Sequence, residues 1–560
     1  MRRFFSLLCL TTCTAVAFGA CGNSNSGKNG FGDDGGTGGD DTGVGNGDDV
    51  SLFGDGNTGD SGIFTGDPQT CDQAVASQSY IGCDYWPTVT GNNVWSLFDY
   101  AVVVANTGSN VANITVTGPG NTNQTATVAP ASLTKIYLPW VAPLKGPDTD
   151  SCGTAMPLPG SVLARAAAYH LVASVPVTVY QFNALEYKGQ GGAPGKNWGS
   201  CPGNNICAQF GQAVGCFSFS NDASLLLPSS AMTGNYRVTG HQGWTSQGTP
   251  VLGAYAVITA TMDGTTVNMK VSTTGQVLAG GGIAATSAGG TVTLTMNAGD
   301  VAELVGPPSD TSDLSGSLVQ ATHPVQVITG MPCVDVPETV QACDHVEESN
   351  MPAETLGKSY VVTVPTAPHG TPVGHEVRIY GNFDGTTLTY VPTKPPSCPA
   401  SVSAGQVVDC GVVTQDFMVT GDHAFAVGSF MEGGGAVDPT TQPPNQEGDP
   451  SESMMVATEQ YRGKYVFLAP DDYDTSYADI VAQAGTGMTL DGAAVAATGT
   501  PVGSSGYSVY RVKLGPGTGG AHVLSAAQPV GIQVMGYGAY TSYQYPGGLD
   551  LQHISQPPPK

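Results

Sequence analysis

The chain repeats itself, and the repeat is written in strand and turn chemistry. YAVITATMDGTTVNMKV (255–271) parallels HEVRIYGNFDGTTLTYVP (375–392). In both, a run of β-branched and aromatic residues leads to Asp-Gly and then to a second alternating run. That pattern predicts strand, tight turn, strand, because glycine tolerates the positive φ the turn demands. YADIVAQAGTGMTLDG (477–492) and FDYAVVVANTGSNVANITV (98–116) are looser copies. A second element recurs later in each unit, in SVPVTVYQF (174–182), THPVQVITG (322–330), GDHAFAVGSF (421–430) and AQPVGIQVMG (527–536). Where proline precedes the alternating run it predicts a strand start, a position that needs no ladder donor. A third element opens the later units, GNYRV at 234, GKSYVV at 357 and GKYVFL at 463.

Long amphipathic helices are nearly absent, so the expected fold is all-β. Four tandem repeat units of antiparallel strands are expected at 71–219, 220–344, 345–450 and 451–548, followed by a short tail at 549–560. A body of this length exceeds what one core normally serves. Six or seven strands per unit predict β-sandwich-like modules, strung like beads. The alternative is a β-propeller-like closed arrangement, one disc to which each unit supplies blades.

Residues 1–20 read as a lipoprotein signal peptide. Arg2 and Arg3 precede the uncharged apolar run Phe4–Ala20, which is too short for a stable membrane span. Small residues directly before Cys21 predict lipid attachment at that cysteine. Gly22, rather than Asp, follows it, so the expected destination is the outer membrane or cell surface, with the chain lipid-anchored. Residues 21–70 form a Gly/Asp-rich tether that cannot bury enough apolar surface to order itself. After Cys21 the tether carries nine Asp and one Lys, a balance repelled by anionic headgroups. Gly59-Asp60-Ser61-Gly62 copies the surroundings of a serine-protease nucleophile, but no rigid scaffold holds a base beside Ser61.

Removing Cys9, Cys13 and Cys21 from thirteen cysteines leaves ten, an even number that predicts disulfides in an exported chain. Spacing suggests Cys71–Cys83, Cys333–Cys343 and Cys398–Cys410. Cys152, Cys201, Cys207 and Cys216 allow three pairings, of which Cys152–Cys201 with Cys207–Cys216 is favoured. No C-x-x-C pair appears, which speaks against zinc. The formal charge is −26, from 18 Lys and Arg against 44 Asp and Glu, and this excludes a nucleic-acid partner that must be met by neutralising phosphates.

Asp344, His345, Glu347 and Glu348 form the densest ionisable cluster, directly after the expected Cys333–Cys343 loop. Such groups could serve a metal, with calcium the ion of choice, or acid/base chemistry. The competing reading is a loop whose carboxylates cap backbone donors and pair with His345. No bound cofactor is expected beyond that calcium option. Asn221 and Asp222 read as turn residues. Tyr537, Tyr540, Tyr543 and Tyr545 crowd near the carboxyl end and are candidates for a ligand-facing surface, with core packing as the competitor. Tyr85, Trp86 and Trp95 pose the same choice.

FSNDASLLLPSSAMTGNYRV (219–238), CVDVPETVQACDHVEESNMPAETLGKSY (333–360), MMVATEQYRGKYVFLAP (454–470) and YTSYQYPGG (540–548) occur in this order along the body. Together they resemble the bacterial relatives of the amino-terminal region of the IgGFc-binding protein. The resemblance implies a secreted, non-enzymatic adhesive or scaffolding role. No Fc-contact motif is present to carry over, so Fc binding itself is not transferred. The expected function is a cell-surface binding or adhesion module for a protein or glycan ligand. The rivals are a glycan-acting hydrolase on an all-β scaffold, which needs two carboxylates in a cleft, and a structural component of an envelope assembly.

Overall fold

Every repeat unit builds the same inner sheet, and its central strand is buried on both faces. In unit one Tyr100–Ala105 lies between Leu133–Leu138 and His170–Asn183. In unit two Tyr255–Ala260 lies between Val301–Val305 and Val325–Val334. Units three and four repeat this with His375–Gly381 and Thr475–Gln483 at the centre. YAVVVA and YAVITA are buried at all six positions, which is why they read as continuous apolar runs. The second sheet faces water on one side and alternates, as in Thr291–Met296, where every second residue is exposed. Each fully buried aliphatic side chain contributes about 1.5–3 kcal/mol, so the inner strands carry most of the core.

This computed structural model describes residues 67–148, 157–207, 211–246, 248–441, 445–470, 473–517 and 520–558. The signal segment, Cys21, the tether up to residue 66, the Gly59–Gly62 motif and Cys152 lie outside them. The described residues fall within one compact unit, Ile63–Lys560. The chain is all-β, and its sheets are arranged in a four-bladed, propeller-like ring. Each unit still carries two sheets, but the units are not beads. One apolar cluster includes Tyr180, Met232, Tyr380 and Tyr543, one residue from each unit's span.

The Asp-Gly turns do not make hairpins in units two and three. Tyr255–Ala260 belongs to the inner sheet, while Thr265–Lys270 pairs with Thr291–Met296 and Leu318–Ala321 in the outer one. The turn therefore arches from sheet to sheet. Gly264 and Gly385 take φ of 68° and 69°, as the turn chemistry requires. Asp263 Oδ1 then accepts the amide of Ala298 at 3.0 Å, and Asp384 Oδ1 that of Ala404 at 3.1 Å, so each aspartate ties its arch to the next turn. A two-residue Asp-Gly hairpin does occur in unit four, where Asp491-Gly492 joins Met488–Leu490 to Ala493–Ala494 and both turn residues have positive φ.

The proline element also differs between units. Pro324 sits just before Val325–Val334, as a strand start should. Pro176 and Pro529 instead lie inside His170–Asn183 and Ala521–Gly538, which run unbroken through both sheets. The register opposite them jumps, from Val177 to Val172 in one case and from Val530 to Ser525 in the other, so each proline occupies a bulge that needs no donor.

Tyrosines of the Gly-Tyr strands lock the two sheets together. The hydroxyls of Tyr236 and Tyr360 donate to the carbonyls of Val325 and Phe425 at 2.7 and 2.6 Å, and Tyr465 donates to Val530. The same hydroxyls accept from the amides of Thr233, Gly357 and Arg462. Tyr85 performs the donation in unit one, to Val177 at 2.7 Å.

The last strand of each unit falls after the boundaries expected at 219, 344 and 450, or straddles them, yet pairs backwards. Ala223–Leu226 pairs with unit one, Asp344–Ser349 with unit two and Glu452–Met454 with unit three. The segment 549–558 is not a loose tail. Leu549 and Leu551 are buried. Tyr80 donates its amide to Leu549, Leu551 donates to Gln78, and Asp550 donates to Gln460. Arg462 bridges Asp67 at 2.8 Å and also pairs with Asp550, which closes the ring between its first and last segments.

Replacing Tyr360 with Phe would strand the Gly357 amide and the Phe425 carbonyl. The expected loss is about 1–3 kcal/mol, seen as a lower urea midpoint with an unchanged slope.

Candidate functional site

The four terminal strands, Ala223–Leu226, Asp344–Ser349, Glu452–Met454 and Thr541–Pro546, meet around the ring's axis. Each is the inner edge of its sheet, so one side of its backbone has no ladder partner. Carboxylates take the ladder's place. Asp222 Oδ1 accepts from the Ala223 amide at 2.9 Å, the Ser451 hydroxyl at 2.6 Å and the Gln544 amide at 3.4 Å. Its Oδ2 accepts from the amides of Glu347 at 3.1 Å and Glu452 at 2.9 Å. One side chain thus receives donors from all four units. Burial pushes this carboxyl well above the usual range, and the donors from Glu452, Ser451, Glu347 and Ala223 oppose that shift.

The sequence cluster lies in the same place. Asp344, His345, Glu347 and Glu348 are fully buried on a strand, not on a loop. Glu347 accepts from Thr90 at 2.6 Å, Asn183 at 2.8 Å, and Gln181 and Ser224 at 3.0 Å. His345 Nε2 lies 3.4 Å from it. Burial raises Glu347, but His345 and the donors outweigh burial and hold it below the ordinary range. Asp344 Oδ2 accepts from Thr541 at 3.1 Å and from the Ser542 amide at 3.4 Å. Burial, then the charges of Asp449 and Asp222, push Asp344 well up.

Glu348 and Glu452 contrast with Glu347. Glu348 keeps one local bond, from the Ser349 amide at 2.8 Å, and both oxygens of Glu452 lack any hydrogen-bond partner. Burial pushes both well above the usual range. An ionised carboxylate in that setting would be far too costly, so these two are held as neutral acids. Among the described residues, no group of three or more His, Cys, Asp or Glu side chains is placed to hold a metal ion. Asp344 and Glu348 cap backbone amides, as expected of a loop but here from a strand, whereas Glu347 gathers side-chain donors.

The tyrosine candidates part company with a ligand face. Tyr537, Tyr543 and Tyr545 are buried in the core, their hydroxyls reaching Thr366, Ser476 and Leu468. An alternating strand that is buried on both faces leaves no outward side. Tyr540 is half-buried, in the turn, with its ring 6.4 Å from that of Phe219. Tyr85 and Trp86 are also buried, and Trp95 is half-buried.

Disulfides join Cys71 to Cys83, Cys333 to Cys343 and Cys398 to Cys410. The remaining pairing differs from expectation, because Cys201 is bonded to Cys216. That excludes both Cys152–Cys201 and Cys207–Cys216. The reason is local register. The amides of Val214 and Gly215 donate to Gly203, and Cys207 bridges Gln212, so the loop folds back with Cys201 opposite Cys216. Cys207 is itself disulfide-bonded.

Sequence reasoning missed Asp222 by reading Asn-Asp as turn chemistry. A usable signal was the recurrence of an acid shortly before each unit's link, at Asp222, Asp344 and Asp449.

A family model described as IgGFc binding protein matches residues 222–536. It takes in units two and three and most of unit four, but leaves out unit one and the YTSYQYPGG motif. No curated protein matches the chain. Among solved structures, a tetra-tandem repeat from the extending region of a large adhesion protein aligns at 12% identity, over 79% of this chain and 92% of that one. Its TM-score of 0.08 carries no argument.

Two outcomes follow from the axis. Asp222→Ala leaves five donors without their acceptor and should cost about 3–5 kcal/mol, whereas Tyr540→Ala, at the half-buried turn, should cost less than about 1.5 kcal/mol; chemical denaturation measures both. Asp344, Glu348, Asp449 and Glu452 have folded-state pKa values above their unfolded ones. The stability they contribute is fully present below the unfolded values and is lost as pH rises through the folded ones. Asp479, pushed up to about 6, and Asp335, to about 7, act in the same sense. Glu347 works in the opposite direction as pH falls below its unfolded value, and His375, pushed down to about 3 by burial, opposes the trend below about pH 6.5, one group against several. The urea midpoint should therefore be higher at pH 5 than at pH 8, each retained proton adding a slope of about 1.4 kcal/mol per pH unit.

Proposed function

Because the chain belongs to the IgGFc binding protein family, we propose that it is an exported surface lipoprotein, anchored through Cys21, that binds a protein or glycan ligand without transforming it. The observation that carries this reading is the family match across residues 222–536, more than half of the chain. The disulfides fit export to an oxidising compartment. The placement of the acids also favours binding over catalysis. The densest ionisable cluster is sealed at the axis, where its carboxylates face strand donors and one another. A glycan hydrolase would need two of them in an open cleft. Many copies on one membrane would multiply a modest affinity per chain.

The test has two arms. Cys21→Ser should move the protein from the membrane fraction to the soluble one, and membrane retention of that variant overturns the anchor. The purified mature chain, applied to an array of glycans, IgG Fc fragment and envelope proteins, should bind saturably and release no product. Cleavage of an arrayed glycan overturns the binding reading.

A further inference from the structure

The seams between the units are held in different ways. Between units one and two, Glu347 accepts from Thr90, Gln181, Asn183 and Ser224, and Glu303 accepts the Gly91 amide at 3.0 Å. Between units three and four, Asp479 accepts the amide and the hydroxyl of Thr366 at 3.0 and 2.6 Å. The seam between units four and one is aromatic, with Tyr180 against Tyr545 and Phe182 against Tyr543. Each of these three buried acids takes a donor from the neighbouring unit.

The seam between units two and three departs from that pattern. Glu348 stands directly opposite Thr329 in unit two's sheet, and Glu452 directly opposite Phe430 in unit three's. Residues opposite one another in a ladder share a face. Thr329 lies against Gly240, and Gly240 touches unit three, its carbonyl accepting from the Tyr380 hydroxyl at 2.7 Å and from Arg378. Phe430 packs with Met331, Val334 and Val346 of unit two. The two glutamates therefore enter one seam from its two sides. Both are fully buried. Glu348 accepts only from the amide of Ser349, its neighbour in sequence, and Glu452 has no donor. Asp222 and Glu347 act on the pair from the axis. Asp313 binds Arg378, and His241 Nε2 lies 3.1 Å from Glu376, which has Asp409 beside it; both pairs cross the seam. The hydroxyls of Tyr255, Tyr380 and Tyr545 complete the surroundings. Arg378 acts on Glu452, but Asp313 already holds it.

We propose that the seam between units two and three is a pH-sensitive joint of the ring, closed while Glu348 and Glu452 carry protons and loosened as rising pH removes them. In the closed seam neither carboxyl has a donor from the other unit to stabilise a charge, whereas water solvates that charge once the seam opens. Opening therefore releases protons, and a higher pH favours it. Burial holds both groups well above the ordinary carboxylate range. The closed state's advantage is thus complete below that range and is lost as pH rises toward the folded values. The joint goes beyond the ligand reading above and stands whatever the ligand is.

The test is hydrogen exchange of the purified mature chain, read as protection factors from pH 7 to pH 9. The Gly240 amide reports on the seam, because it donates across it to the Tyr380 hydroxyl at 3.2 Å. The Tyr80 amide, which donates to Leu549 where the ring closes, is the reference. In wild type, protection of Gly240 should fall by about 10-fold per pH unit for each proton released, and more steeply than that of Tyr80. The double variant Glu348→Gln, Glu452→Gln keeps the side-chain shapes and removes both protons. Its Gly240 protection should equal or exceed that of wild type at pH 7 and lose the slope. Should that variant fail to fold, Glu452→Gln alone should show a shallower slope than wild type. Glu303→Gln, in the seam between units one and two, should leave the wild-type slope unchanged. Equal slopes in wild type and the seam variants place the pH dependence elsewhere, such as at His241 and Glu376, and overturn the joint. A wild-type fall that is as steep at Tyr80 as at Gly240 is unfolding of the whole ring and overturns it too.

Discussion

Closing four sheets on one axis leaves four strand edges facing each other, and that geometry governs the rest of the molecule. Around an axis the edges cannot all pair as ladders, yet their amides are buried and must find acceptors. Asp222 resolves this by accepting from the edges of units two, three and four as well as its own. An acid side chain suits the task because its two oxygens together accept from five donors. The family match begins at this residue. A buried acidic side chain, ordinarily a burden, is here the means of joining the units.

The ring then needs each unit to hold its inner strand at a fixed depth. The tyrosine hydroxyls do this in the same way in every unit, bridging the first strand to the strand that carries the axial partner. The long strands of units one and four add a continuous path through both sheets, with Pro176 and Pro529 at the crossing. Ring closure falls to Arg462 and the segment after Leu549, whose contacts join the first unit to the last.

What the sequence disclosed was local. Apolar alternation and Asp-Gly pairs located the repeats and most of their strands, because strand burial and positive φ leave direct marks in residue type. The arches at Asp263 and Asp384 were misread as hairpins because turn chemistry says that the chain reverses, not which strand it next pairs with. The acids at 344–348 were visible as a cluster, but their burial was not, since a capped carboxylate and a solvated one look alike in a sequence. Tyr543 and Tyr545 looked like a binding surface for a related reason. Aromatic strands serve both interfaces and cores, and only the neighbouring sheets decide which. The Cys201–Cys216 pairing depended on the fold-back at Gly203 and Gly215, which spacing alone does not reveal.

The axial acids fall into two chemical states, and the split follows hydrogen-bond supply. Glu347 gathers four side-chain donors besides His345 and is held ionised. Glu452, a strand away, offers its backbone amide to Asp222 while its own carboxyl has no donor, so burial keeps it neutral. A second ionised group there would add repulsion against Asp222 and Glu347 that nothing nearby offsets except Arg378. Arg378 is already committed to Asp313. The axis therefore tolerates its acidity only because some of its acids are uncharged.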